Sequence, residues 1–274
     1  FGYPVEHSLS PAMHNDAFQE LGLNHVYLPF SVEPDNLEEA VAGVRGLNIA
    51  GVNVTIPHKQ EVIPFLDELS EEAELIGAVN TIVNQNGTLT GHNTDGRGFI
   101  RSLKEETDFK AAKGKALLIG AGGAARAIAF QLALAGIEEL VVSDLDSAKA
   151  ENLSDEIDKN LDLEVRAVEQ EEVDDLIAEL DLLVDATPVG MHPHVDVDPV
   201  VSAEVMHDEL IVYDVVYNPR ETVLLQAAQE AGAQAVSGLG MLLYQGVIAF
   251  EIWTGEDAPV EVMRSALEAG IYED

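Results

Sequence analysis

"ALLIGAGGAARAIAFQLALAG", residues 116–136, decides the fold. It opens with a short apolar run that reads as a buried strand. Glycines follow at 120, 122 and 123, and then an alanine-rich stretch that closes at Gly136. Alanine favours helix, and glycine just past the last turn is the usual C-terminal cap. Strand, glycine turn and helix in that order open a βαβ unit. Gly120, Gly122 and Ala125 give G-x-G-x-x-A. Small residues let the chain turn tightly and let its backbone approach a pyrophosphate. The helix N-terminus adds free N–H groups and the positive end of its dipole. Gly120, Ala121, Gly122, Gly123, Ala124 and Ala125 are therefore the candidate dinucleotide loop. The competing reading is a tight turn with no ligand.

The next strand, "ELVVSD" (139–144), ends in Asp144. A carboxylate roughly 20 residues after the first glycine commonly takes the adenosine ribose hydroxyls, which favours NAD and repels a 2′-phosphate. An NADP site generally wants arginine here. This chain has Leu145 and Asp146, with Lys149 further on. Asp144 reads equally as an ordinary cap on the following helix.

Strands and helices alternate outward from this point, as in a mostly parallel α/β sheet. Later buried strands are "LDLLVDAT" (180–187) and "LIVYDVVY" (210–217), and "GLGMLLYQGVIAFEIWTG" (238–255) is a long apolar helix. In the first part, "HVYLPFSV" (25–32) and "GVNVTI" (51–56) read as strands, with a helix over 34–47 between them. "AVNTIVNQNGTLTGHNTDG" (78–96) reads as a hairpin about Asn86-Gly87, which favours a type I′ turn. A two-residue loop there sets Asn80 opposite Asn93. Asp95 then faces the same side as Asn80 if the strand stays extended.

Lys59 follows "GVNVTIPH" in a chain with only 14 Lys and Arg against 50 Asp and Glu. Most lysines after a strand are solvated. A catalytic lysine needs a partner, and Asp95 is the candidate, because such a pair can move a proton at a substrate oxygen. His58 reads as a bystander. "HSLSPAMHN" (7–15) sets Ser8 and Ser10 two apart, and Ser10-Pro11 reads as a helix cap followed by proline. Two hydroxyls there would also suit a small carboxylate. "GMHPHVDVDP" (190–199) gathers His192, His194, Asp196 and Asp198, but a proline-broken acidic loop is the stronger reading, and no metal is expected.

Net charge is −36, which argues against nucleic acid and anionic membrane surfaces as partners. The acid is spread along the chain and reads as a salt-adapted surface. Hydrophobic content of 47% suits a globular protein. No apolar run approaches the roughly 20 residues of a membrane helix. The absence of cysteine excludes disulfides and thiolate catalysis and fits a cytoplasmic location. "FGYPVEHS", without methionine, reads as the end of a strand already under way, so a few residues are expected ahead of Phe1.

Taken in order, "HSLSPAMHN", "GVNVTIPHK", "GAVNTI", "GHNTDG", "GAGGAARA", "DATPVGM", "YDVVYNPRET" and "GLGMLLYQ" resemble the shikimate dehydrogenase family, including quinate/shikimate dehydrogenases. The resemblance covers essentially the whole chain. It implies a two-domain α/β fold: an N-terminal α/β substrate domain of residues 1–98 plus 239–274, and a Rossmann-like NAD(P) domain of residues 99–238. The C-terminal helices return to the first domain, and the site lies in the cleft. It implies Lys59 and Asp95 as the catalytic pair. Ser8 and Ser10 would hold the substrate carboxylate, and Thr55, Asn80, Tyr217 and Gln245 would make the other polar contacts. Thr187, Val215, Gly238 and Met241 would line the nicotinamide side. The family expectation is NADP, usually with Asn-Arg-Thr after the second Rossmann strand; Asp144-Leu145-Asp146 departs from it toward NAD. Ser10 favours shikimate, since quinate-using members often carry threonine there. Val223 stands where proline is common.

The implied reaction is reversible reduction of 3-dehydroshikimate to shikimate, in aromatic amino acid biosynthesis, by a monomer or homodimer acting on a small molecule. The rivals are a catabolic NAD-dependent quinate/shikimate dehydrogenase and a non-catalytic dinucleotide sensor.

Overall fold

The structure, a computed structural model, describes residues 1–6, 8–161 and 163–271. His7 of the first motif and residues 272–274 of the expected substrate domain lie outside the described residues. The chain divides into two compact units, Phe1–Gly98 with Leu243–Asp274, and Phe99–Leu242.

The first unit opens with helices α1 (Ser10–Glu20) and α2 (Leu37–Gly46). Strands β1 (Gly51–Asn53) and β2 (Glu68–Leu69), helix α3 (Glu71–Ile76), and strands β3 (Thr81–Gln85) and β4 (Thr88–His92) follow. Helix α4 (Asp95–Glu106) begins in this unit. The sheet order is β1-β3-β4-β2. The β3–β4 hairpin turns on Asn86 (φ 58°) and Gly87 (φ 95°). Both lie in the left-handed region that an Asn-Gly type I′ turn requires. Thr81 pairs with His92, and the Asn80 N–H donates to the His92 carbonyl at 3.0 Å, so Asn80 does stand opposite Asn93. Val41 and Val44 of α2 pack with Val52, Val54, Ile82 and Leu89 in one apolar core.

The strand expected at 25–32 does not join this sheet. Ser31 makes one parallel bridge to Gly2, and the rest has no ladder. Val26, Leu28 and Phe30 are 69%, 56% and 47% exposed. Alternating apolar residues signal extended backbone, but a strand also needs a neighbouring backbone to pair with. Here side-chain bonds from Asn15 to the Tyr27 backbone do that work.

The second unit contains β5 (Lys115–Ile119), α5 (Gly123–Leu134), β6 (Glu139–Ser143), α6 (Ser147–Leu161), β7 (Val165–Val168), α7 (Val173–Leu176), β8 (Leu182–Asp185), β9 (Ile211–Asp214), α8 (Val223–Ala231) and β10 (Gln234–Ser237). Its six strands are all parallel, in the order β10-β9-β8-β5-β6-β7. The chain starts at β5, moves outward through β6 and β7, then returns to the other side of β5. Every residue of β8, and all but Lys115 of β5, is buried, because parallel strands are covered on both faces. The reversal between β5 and β8 makes their carboxyl ends the ligand-binding edge of such a sheet.

Helix α9 (Leu239–Thr254) carries the chain back to the first unit, where α10 (Val260–Ile271) packs along α1. Gly246 lets α9 approach α1 closely: a Cβ there would have to displace the Met13 methyl. Among the described residues no helix is long and apolar enough to cross a membrane.

Candidate active site

The turn after β1 fixes the backbone around Lys59. The His58 N–H donates to Thr55 O at 2.9 Å, and the Val79 N–H donates to Lys59 O at 2.7 Å. His58 is not a bystander. It is buried, and its Nε2 lies 2.7 Å from the Val32 carbonyl. Held this way, Lys59 Nζ reaches Asp95 Oδ2 at 2.7 Å, with side-chain exposures of 14% and 7%.

Asp95 is placed by a helix start, not by an extended strand. β4 ends at His92, and Asp95 is the first residue of α4, its N–H bonded to Asn93 Oδ1 at 3.0 Å. A carboxylate at a helix N-terminus is stabilised by the dipole. The partner expected from the hairpin is nevertheless present: Asn80 Nδ2 donates to Asp95 Oδ1 at 2.9 Å. Asn80 Oδ1 accepts from the Thr94 N–H and the Thr81 hydroxyl, each at 2.9 Å, so the amide cannot flip without losing bonds at both ends. Asp95 occupies one of three Lys59 N–H donors, which leaves donors for a substrate oxygen.

Ser10 is not the cap of α1 but its first residue, and Ser8 Oγ accepts the Ser10 N–H at 3.3 Å. Thr55 has an exposed side chain. Gln245 of α9 lies over Gly98, where a Cβ would stand 2.6 Å from the Gln245 nitrogen. Tyr27, Asn53, Thr81 and Thr94 contact this set and were not legible as site residues, because their partners lie far off in sequence.

In the second unit the predicted residues line the carboxyl edge of the parallel sheet. Gly120 has φ 103°, and a Cβ there would stand 3.2 Å from the Ala186 carbonyl. Gly122 caps α5 with no side-chain bond, and its Cβ direction opens onto free space. Ala125 is fully buried. The first turn of α5 carries no acid, in a chain with 50 of them. No acidic side chain in the first turn of α5 opposes a pyrophosphate at the helix N-terminus, while the Gly120 and Ala121 N–H groups are already bonded to the Ser143 carbonyl and to Asp144 Oδ2. Thr187 Cγ2 would lie 3.4 Å from a Gly120 Cβ, and Gly238 sits so close to the Val215 carbonyl that any side chain there would collide. Met241 is buried. Tyr217 follows β9, its phenol pushed up by burial.

Asp144 holds two backbone N–H groups. Its Oδ2 accepts the Ala121 N–H at 2.7 Å and its Oδ1 accepts the Asp146 N–H at 2.9 Å. It thus ties the glycine loop to the start of α6 while keeping lone pairs for a ribose hydroxyl. Lys149 is exposed and 3.8 Å from Asp146, and Leu145 is 87% exposed.

Two acids escaped sequence reasoning. Asp185 and Asp214 end adjacent strands as register partners, and both are buried. Asp185 is pushed up to about 7, first by burial and then by the Asp214 charge. Burial pushes Asp214 up to about 6. Asp185 Oδ1 accepts the Thr187 N–H at 2.8 Å, and Asp214 Oδ1 accepts the Val216 N–H at 2.9 Å. Among the described residues no three His, Asp or Glu side chains gather as metal ligands.

Known proteins match these segments. Residues 1–82 match the shikimate dehydrogenase substrate binding domain, 102–224 the shikimate / quinate 5-dehydrogenase domain, and 238–268 the shikimate 5′-dehydrogenase C-terminal domain. A shikimate dehydrogenase (NADP+) of Methanopyrus kandleri is 55% identical over 97% of this chain and 92% of its own. The chain belongs to the shikimate dehydrogenase family. A shikimate dehydrogenase solved with NADP+ superposes with a TM-score of 0.94 at 45% identity, over 98% of this chain and 93% of its own. The Listeria monocytogenes shikimate dehydrogenase, solved with shikimate and NAD, gives 0.89 at 44% identity, over 97% and 94%. Lys59 falls in the segment matching the family's substrate binding domain, and the glycine loop in the segment matching its dehydrogenase domain.

Proposed function

We propose that this chain catalyses the reversible NAD(P)-dependent reduction of 3-dehydroshikimate to shikimate. The observation that carries the reading is the Lys59–Asp95 pair, 2.7 Å apart and braced by Asn80. In this reading residues 1–98 and the C-terminal helices hold the substrate, and the six-stranded unit holds the dinucleotide. A nicotinamide dinucleotide, when bound, supplies the hydride in one direction and accepts it in the other. As the ring carbonyl carbon gains hydride, Lys59 gives a proton from Nζ to the carbonyl oxygen, which becomes the hydroxyl. The neutral amine regains its proton from solvent. Oxidation runs the same transfer backward, with Lys59 as the base. Asp95 keeps the ammonium in place and accepts a hydrogen bond from the substrate. Ser8 and Ser10 anchor the carboxylate.

Asp144 favours NAD over NADP, because its carboxylate would oppose a 2′-phosphate and Lys149, on the helix that follows, already faces Asp146. That observation also favours a second reading, a catabolic NAD-dependent quinate/shikimate dehydrogenase. Measuring kcat/KM for shikimate and quinate, each with NAD and NADP, separates them. Shikimate with NAD is expected to lead. Preference for quinate would install the second reading, and oxidation of neither substrate would reject both.

A further inference from the structure

Residues 215–222 join β9 to α8, and they include Val215 and Tyr217. Both ends of this loop are tied to one carboxylate. Asp214 Oδ1 accepts the Val216 N–H at 2.9 Å, and Asp214 Oδ2 accepts the Thr222 hydroxyl at 2.5 Å. Thr222 in turn caps α8, its Oγ1 accepting the Leu225 N–H at 3.3 Å. Asp214 is 0% and Thr222 1% exposed, so water does not compete for either bond. A hydrogen bond to a carboxylate kept from water is stronger than one between neutral groups.

The start of the loop is held on two further sides. The Val215 N–H donates to the Asp185 carbonyl at 2.9 Å, and the Gly238 N–H donates to the Val216 carbonyl at 3.2 Å. A Cβ on Gly238 would fall 1.9 Å from the Val215 oxygen, so the two backbones meet without a side chain between them. The loop after β8 reaches the glycine turn in the same way: a Cβ on Gly120 would stand 3.2 Å from the Ala186 carbonyl. Glycine turn, β8 loop and β9 loop therefore abut in that order along one edge, as β5, β8 and β9 do in the sheet.

We propose that Asp214 and Thr222 are positioning residues that set the β9–α8 loop against the nicotinamide half of a bound dinucleotide. This rests on the function proposed above, in which the pyrophosphate lies at the glycine loop. Asp144 ends β6, on one side of β5, and that side serves the adenosine half. β8 and β9 lie on the other side of β5. The clamp at Asp214 touches neither the glycine loop nor Asp144. Cutting it should weaken the hold on one half of the dinucleotide and spare the other.

Thr222→Val keeps the shape of the side chain and removes its hydroxyl. Losing a cap and a buried bond, it should melt about 5 °C below the parent and stay folded at 25 °C. Titration calorimetry at that temperature compares NADH with ADP-ribose, which lacks the nicotinamide. In Thr222→Val the Kd for NADH should rise about tenfold, while that for ADP-ribose stays within about twofold. Thr222→Ser returns the hydroxyl and should recover NADH binding. Asp214→Asn keeps an acceptor for Val216 and loses the charge that strengthens the Thr222 bond. It should show the same selective loss, about threefold, with a melting temperature near the parent's. Unchanged NADH binding in Thr222→Val, equal weakening of both ligands, or no recovery in Thr222→Ser would overturn the proposal. The parent protein tests the underlying reading separately. A parent that binds neither ligand rejects the dinucleotide assignment itself, and one that binds both equally tightly rejects the nicotinamide placement.

Discussion

Lys59 Nζ and Asp95 Oδ2, 36 positions apart in the chain, stand 2.7 Å from one another. The ammonium and the carboxylate come from a strand exit and a helix start, each pinned by its own backbone bonds. Lys59→Ala is expected to lower kcat about a hundredfold or more, within the usual range for loss of a general acid–base. Far-ultraviolet circular dichroism should be unchanged. Turnover within a few fold of the parent would show that the proton travels by another route.

Asp144 holds Ala121 and Asp146 by their N–H groups, and on the proposed cofactor reading its charge would oppose a 2′-phosphate. Asp144→Asn removes the charge and keeps one acceptor. The ratio of kcat/KM with NADP to that with NAD should rise about tenfold, equivalent to some 1.4 kcal/mol. An unchanged ratio would assign Asp144 to holding the loop alone.

Asp185 and Asp214 give the second unit a pH-dependent stability. The folded state raises Asp185 from 3.8 to about 7 and Asp214 to about 6. Between those values the native state holds protons that the unfolded chain releases, so stability falls as pH rises through that window. Asp185→Asn keeps the acceptor for Thr187 and cannot ionise. Its melting temperature should exceed the parent's at pH 8, and the gap should close towards pH 4. A constant gap across that range would contradict the assignment.

With 50 acids against 14 bases, the fold is under self-repulsion at low ionic strength. Added salt shortens the screening length from about 10 Å at 0.1 M to about 3 Å at 1 M. The melting temperature and shikimate oxidation should both rise across that range. A flat response would remove salt adaptation as the meaning of the acidic surface.

The sequence by itself determined the glycine loop, the parallel sheet that carries it and the Asn86-Gly87 hairpin. Each is written in local chemistry: which residues tolerate positive φ, which can lie under a phosphate, which alternate at strand spacing. It also named Lys59 and Asp95 as partners. Only the tertiary structure decided how they meet. Asp95 reaches Asn80 from a helix N-terminus, and His58, a bystander by spacing, anchors the turn. The same holds for Tyr27 and Asn53, and for Asp185 beside Asp214. Each pair is joined by a hydrogen bond or by register between segments 26 or 29 residues apart. Period and propensity act over a few residues. A side-chain bond across such a distance depends on where two backbones come to rest, and no local pattern records that.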